Sequence, residues 1–250
     1  MTLMPPLWSK ILLDRRLLIV VAAPKEACSV LAGCGAGCQV MRQWEIREAR
    51  GDIDVLLTGV GKANAAGAVA HALGSVKYGA VVNIGLAGAL PRSDGEPRVN
   101  IGDVILAEQS RFADEGVQTP TGFIDVAAMG FPPTEHGAAG LPVSPLLFEI
   151  LRPLATHSGI IATVSTCSGT DSLAHAMHDR TGAIAEAMEG AAVLLAAHRL
   201  GIPAAEIRVI SNTTGDRDRQ VWDFGAGFAG MRRVMEEVAG SMKILPRSVK

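Results

Sequence analysis

The chain has 250 residues, of which 48% are hydrophobic and 19% charged, and its formal net charge is −2. That is ample apolar material for one α/β core and excludes a disordered chain. Lys and Arg are scattered, aromatics make up only 4%, and no apolar run reaches the ~18 residues of a membrane span, so neither nucleic acid nor membrane is expected as a partner.

Residues 1–16 read as a short extension before the first strand, and residues 17–250 as one folded domain. The extension lacks the basic start, continuous apolar middle and small-residue cleavage site of a secretory signal, so a cytoplasmic protein is expected. Residues 17–23 (L-L-I-V-V-A-A) form a continuous apolar run of strand length, as in a strand covered on both faces. A helix is predicted from Pro24, which leaves Glu26 just past the carboxyl end of that strand, where open α/β sheets keep their ligands. An acidic residue in a helix's first turn is also common for its own sake. Cys28, Cys34, Cys38 and Cys167 contain no C-x-x-C pair and no His that completes a metal site, so they read as plain thiols and no metal is expected.

Residues 44–57 predict one or two strands. The turn T-G-V-G-K-A-N at 58–64 leads into an Ala-rich helix over 63–73. It is not a phosphate loop, because Leu56 and Ala63 stand where a Gly and a Ser or Thr are needed. Residues 80–90 predict a second buried strand whose Gly85, Ala87 and Gly88 would let a ligand approach the backbone, or simply make a tight turn. Another strand is predicted over 99–107, a long loop over 116–145, a helix over 146–155, and a strand over 159–165 that ends in the polar turn 166–170.

The most informative stretch runs from Ala187 to Phe224. Glu189 opens a small-residue run that reads as a helix ending at Gly201, with Pro203 beyond. It lies beside the apolar face formed by Met188, Ala192 and Leu195, and a carboxylate buried there needs a partner or a shifted pKa. A short strand, I-R-V-I, then delivers Ser211 and Asn212 to its carboxyl end. A last helix is predicted over 224–242.

The segments I-V-V-A-A-P-K-E, T-G-V-G-K-A, N-I-G-L-A-G, I-G-D-V-I-L-A, A-M-E-G-A-A and I-R-V-I-S-N stand in the order and spacing of the nucleoside phosphorylase/nucleosidase superfamily, which the chain resembles from about residue 17 to its last helix. Within it, F-A-D-E-G-V-Q-T-P-T-G-F and S-N-T-T-G-D-R-D-R are most similar to the futalosine-cleaving nucleosidases of menaquinone biosynthesis. The resemblance implies a single α/β domain, a central twisted mixed sheet flanked by helices, with a ribosyl site at the strand ends. It implies that Glu189 holds the ribose 2′- and 3′-hydroxyls, that Glu26 is the general base on water, and that Arg208 orients it. Ser211 and Asn212 would face the purine, Met188 would pack under the ribose, and Ala87 and Gly88 would line the sugar pocket. Phe112, Gly169 and Thr170 are the further substrate contacts it suggests. No cofactor is implied; the expected partners are a small purine nucleoside and further copies of the chain.

Two departures matter. Adenosine-type nucleosidases carry Asp where this chain has Asn212, and an amide suits a 6-oxopurine such as hypoxanthine. Leu86 replaces the Ser usual in the sugar-pocket turn. The resemblance therefore favours futalosine over the alternatives, a 5′-methylthioadenosine/S-adenosylhomocysteine nucleosidase, a purine nucleoside phosphorylase or a non-catalytic nucleoside binder. Futalosine also bears a benzoate, for which Arg111, Arg217 and Arg219 are the candidate cations.

Overall fold

The computed structural model describes residues 7–13, 15–92, 97–135 and 139–242. A mixed sheet lies at its centre. Strand β1 (Arg16–Val21) pairs in parallel with β3 (Ile53–Leu57) and β4 (Tyr78–Ala89), and β2 (Glu45–Arg50) adds antiparallel to β3. On the other side β4 pairs in parallel with β11 (Ala204–Thr213), which pairs antiparallel with β5 (Val104–Phe112). β9 (His157–Thr163) follows in parallel, and then β10 (Ala185–Ala187). β10 turns back to pair antiparallel with β4, so β4, β11, β5, β9 and β10 close into a ring. β4 and β11 are long and buried almost throughout, the state expected of strands covered on both faces.

Helices cover the sheet in pairs. α2 (Pro24–Gly33) packs against α7 (Phe224–Met242), and α3 (Lys62–Ser75) against α6 (Gly190–Arg199). In α7, Met231, Val234, Met235 and Val238 repeat at helical spacing and are all buried. The extension carries a short helix, α1 (Leu7–Leu12), that belongs to the core. Trp8, Ile11 and Leu12 are buried, and Trp8 Nε1 donates to Ser241 Oγ at 3.0 Å. Residues 1–6 and 14 of the expected extension lie outside the described residues, as does the chain after 242.

The expected single α/β domain architecture, with a mixed sheet between helices, is what the fold displays. Several local expectations are corrected. Residues 116–145 are not one loop: β6 (Gly116–Thr119) and β7 (Gly122–Asp125) form a hairpin, and β8 (Gly140–Pro142) pairs with β5. Gly, Pro and Thr punctuate that hairpin, which is why their density reads as loop. The strand expected over 99–107 starts at Val104 and runs on to Phe112, because Asn100 and Asp103 close a turn first (Asp103 N–H to Asn100 O, 3.0 Å). The helix expected over 146–155 is α4 (Pro145–Leu151) followed by a 3₁₀ turn. Residues 185–187, where no element is expected from the sequence, are the strand β10, paired with both β9 and β4. Cys28 and Cys38 are not thiols but a disulfide, because the chain doubles back after α2 and brings their Cα atoms to 4.6 Å; Cys34 and Cys167 are free.

Candidate active site

The carboxyl ends of β1, β4, β9 and β11 meet around a cavity of about 400 Å³. Glu26 reaches it from the first turn of α2. Its Oε2 accepts the N–H groups of Ala22 and Ala23 (3.0 and 2.9 Å), and its Oε1 accepts that of Leu86 (2.9 Å). Reaching back to the residue before the helix is half of a capping box, here turned to a second use. The carboxyl is 6% exposed. Burial raises its pKa above the ordinary 4.5, outweighing Arg208 and the backbone donors, which lower it. Leu86 thus contributes a backbone N–H where its side chain offers no polar group.

Beneath the cavity lies Arg208, 1% exposed. Its Nε donates to Glu206 Oε1 (2.7 Å), Nη1 to Glu189 Oε2 (3.2 Å) and to Leu86 O (3.3 Å), and Nη2 to Asn83 Oδ1 (2.6 Å). Glu206 also accepts Ser110 Oγ–H at 2.5 Å, and Asn83 Nδ2 donates to Val20 O at 3.0 Å, which fixes the amide's orientation. Burial alone would lower the pKa of Arg208. Glu206, Glu189 and Glu26 together raise it, so the guanidinium stays charged.

The sequence accommodates this cluster through strand geometry. Glu206 and Arg208 are two residues apart and share one face of β11. The parallel register sets Arg208 beside Gly85 of β4. A Cβ at Gly85 would stand 2.4 Å from Arg208 Nη1 and 3.0 Å from Glu26 Oε1, so only glycine leaves the two groups room to converge. Gly190 serves the same purpose for Glu206, whose Oε2 would lie 1.9 Å from an added Cβ.

Glu189 precedes α6, and its carbonyl accepts the N–H groups of Ala192 and Val193 at 2.9 and 3.0 Å. Its side chain turns away from that helix. Oε1 accepts Gly61 N–H (3.0 Å) while Oε2 faces Arg208, leaving the carboxylate 4% exposed at the cavity wall. A bulge in β11 places the next pair. The register slips between Ile210 and Asn212, so Ser211 is the extra residue and the strand is re-aimed there. Ser211 Oγ donates to Asn212 Oδ1 at 2.8 Å, and Asn212 Nδ2 donates to Thr213 O at 2.9 Å.

Glu26, Arg208, Glu189, Met188, Ala87, Gly88, Gly169, Ser211 and Asn212 therefore line one cavity. Two expected contacts do not. Phe112 is buried at the end of β5, beneath Lys62, whose Nζ is 5.6 Å from its ring centre. Thr170 caps helix α5 (Asp171–Thr181), its Oγ1 accepting Leu173 N–H at 3.2 Å. Of the candidate arginines, Arg111 is held by Asp125 (3.0 Å) and Arg219 by Asp171 and Asp216. Arg217 does reach the cavity, stacked 4.6 Å over Trp222.

Sequence reasoning missed four groups of residues. Glu206, Asn83 and Ser110 complete the buried charge cluster, and the signal available was two opposite charges at alternate positions of an apolar strand. Glu186, 4% exposed, lines the same cavity; it accepts Ser168 N–H (2.7 Å) and Oγ–H (2.6 Å), and burial raises its pKa. Trp222 and Phe224, with ring centres 5.0 Å apart, form an aromatic rim beside Asn212. Lys62 is tied to Asp114 and Glu115 outside this cavity, at 2.5 and 3.0 Å. Among the described residues, His, Cys, Asp and Glu form no group that could hold a metal ion.

A closed five-strand ring with a carboxylate-lined hollow at its strand ends is an architecture built to take a small ligand. The chain belongs to the phosphorylase superfamily, whose family model matches residues 19–242. Among its relatives, the futalosine hydrolase of Acidothermus cellulolyticus is 38% identical over 210 residues, which are 82% of this chain and 83% of the relative. The futalosine hydrolase of Streptomyces coelicolor is 34% identical over 192 residues, 74% and 78% of the two chains. The solved 5′-methylthioadenosine/S-adenosylhomocysteine nucleosidase of Neisseria meningitidis, in complex with methylthio-immucillin-A, has a TM-score of 0.70 at 20% identity, covering 92% of this chain and 100% of that one. At that identity the likeness is one of fold.

Proposed function

We propose that this protein is an N-glycosyl hydrolase that cleaves futalosine and releases hypoxanthine. The observation that carries the reading is the convergence of Glu26, Glu189 and Asn212 on one cavity, with Glu26 gripped by three backbone N–H groups. The relatives at 38% and 34% identity support the choice of substrate.

Cleavage of an N-glycosidic bond develops positive charge at the sugar, as in glycoside hydrolysis generally. Glu189 binds the ribose hydroxyls and puts negative charge under the developing cation. Arg208 holds that carboxylate in place. Glu26 accepts a proton from the attacking water, a step typically worth ~10²–10⁴-fold for a positioned base. The backbone donors at Ala22, Ala23 and Leu86 stop its carboxyl from turning out of line. Asn212 offers an N–H to the purine as charge arrives on it, the role of an oxyanion donor. Ser211, by occupying Oδ1, fixes which end of the amide is presented. Trp222 and Phe224 supply apolar surface for the flat base.

Val117, Ile124, Met129 and Phe131 are apolar and exposed on and just after the β6–β7 hairpin, a surface that a homo-oligomer would bury. The proposed compartment is the cytoplasm, where a Cys28–Cys38 disulfide would be an exception to the usual reduced state. Incubating the protein with futalosine and identifying the free base tests the reading. Hypoxanthine released at a rate indifferent to inorganic phosphate is the expected result. Phosphate-dependent release would make the protein a phosphorylase, and no release would refute the proposal.

A further inference from the structure

A second cavity, of about 750 Å³, adjoins the first. Val60 lines both, and Gly61, which lines the second, gives its N–H to Glu189 in the first. The two hollows therefore meet at the sugar-binding carboxylate, away from Asn212 and the aromatic rim, which line only the first.

Two cations face the second cavity. Lys62 is spent on Asp114 and Glu115. Asp114 is spent as well, since its Oδ2 also accepts Ser165 N–H at 2.5 Å. Arg180, on α5, is in a different state. Among the described residues it makes no ion pair. Its Nε is shielded from solvent without a hydrogen-bond acceptor, and Nη2 meets only the sulfur of Met177 at 3.6 Å. The guanidinium lies 4.5 Å over the ring of Phe123, and Leu173 and Met177 add apolar wall beside it. A half-buried guanidinium stacked on one face, with donors unused at its edge, is suited to a planar carboxylate gripped in a two-pronged fashion. The cations expected from the sequence for this purpose are otherwise engaged: Arg111 and Arg219 are paired with acids, and Arg217 sits at the opposite, aromatic end.

The geometry points to this cavity as the subsite for an aryl carboxylate carried on the 5′ side of the ribose, with Arg180 as the residue that selects it. This inference rests on the proposed hydrolysis of futalosine, whose benzoate is such a group. Arg180 touches the remote end of the substrate, so its effect falls on substrate recognition and leaves bond cleavage alone.

The test crosses wild type and Arg180→Gln with futalosine and its benzoate methyl ester, reading KM and kcat for hypoxanthine release, with inosine as a substrate lacking the group. Esterification or the substitution alone is expected to raise KM about tenfold or more, the scale of a charge-assisted contact. Both together should do no more than either one, while kcat stays within about threefold and inosine turnover is unchanged. The ester arm needs only wild type, so it decides even if Arg180→Gln fails to fold. If wild type cleaves futalosine but treats acid and ester alike, or if Arg180→Gln still prefers the acid as strongly as wild type does, the function stands and the subsite is overturned. If wild type releases no hypoxanthine from any of them, the functional reading fails and takes the subsite with it.

Discussion

Glu26 has the most specific constraint on its chemistry. A general base works only when ionised, and burial holds this carboxyl above the ordinary 4.5 despite Arg208 and its backbone donors. The acid limb of kcat/KM for hypoxanthine release is therefore expected at a pH above 4.5, with activity rising as pH increases through it. Glu26→Gln should lower kcat by ~10²–10⁴-fold. A limb at the ordinary carboxylate value, together with an active Glu26→Gln, would remove Glu26 from the mechanism. Glu26, Glu189 and Asn212 were legible from the sequence because each is polar and stands just beyond a strand or at a helix start. Glu206 and Asn83 were not, since a polar residue inside a strand declares its partner only once the register is known. Glu186 stayed hidden for a related reason, lying in a three-residue strand too brief to show an alternation.

Between elements, the site depends on how closely β4 and β11 approach. Arg208 lies across from Gly85, and any side chain there collides with the guanidinium. Gly85→Ala should cost about 1–3 kcal/mol of stability, as overpacking does. It should also lower kcat/KM, because the displaced Arg208 no longer holds Glu189 and the added Cβ crowds Glu26. Chemical denaturation and steady-state assays on the same preparation check this; wild-type values in both would mean that the close packing at Gly85 is irrelevant. The strand run and the final polar pair of β11 could be read from I-R-V-I-S-N. The bulge at Ser211 could not, because one residue's excess over a partner strand has no mark in the residue types themselves. Cys28 and Cys38 failed for the opposite reason, as their spacing is compatible with thiols or a bridge until the turn after α2 is seen.

On the scale of the whole molecule, the ring of β4, β11, β5, β9 and β10 collects side chains from distant parts of the chain into one hollow. Apolar runs and glycine turns announced the α/β class, while the return of β10 to β4 depends on a strand too short to carry a pattern. In the proposed reaction two acidic side chains, Glu26 and Glu189, serve one sugar. The most direct measurement is hypoxanthine release from futalosine by Glu189→Gln, purified and shown to melt like wild type. A drop of ~100-fold or more is the expected result, since the amide can no longer place charge beneath the developing cation. Release at the wild-type rate would contradict the account.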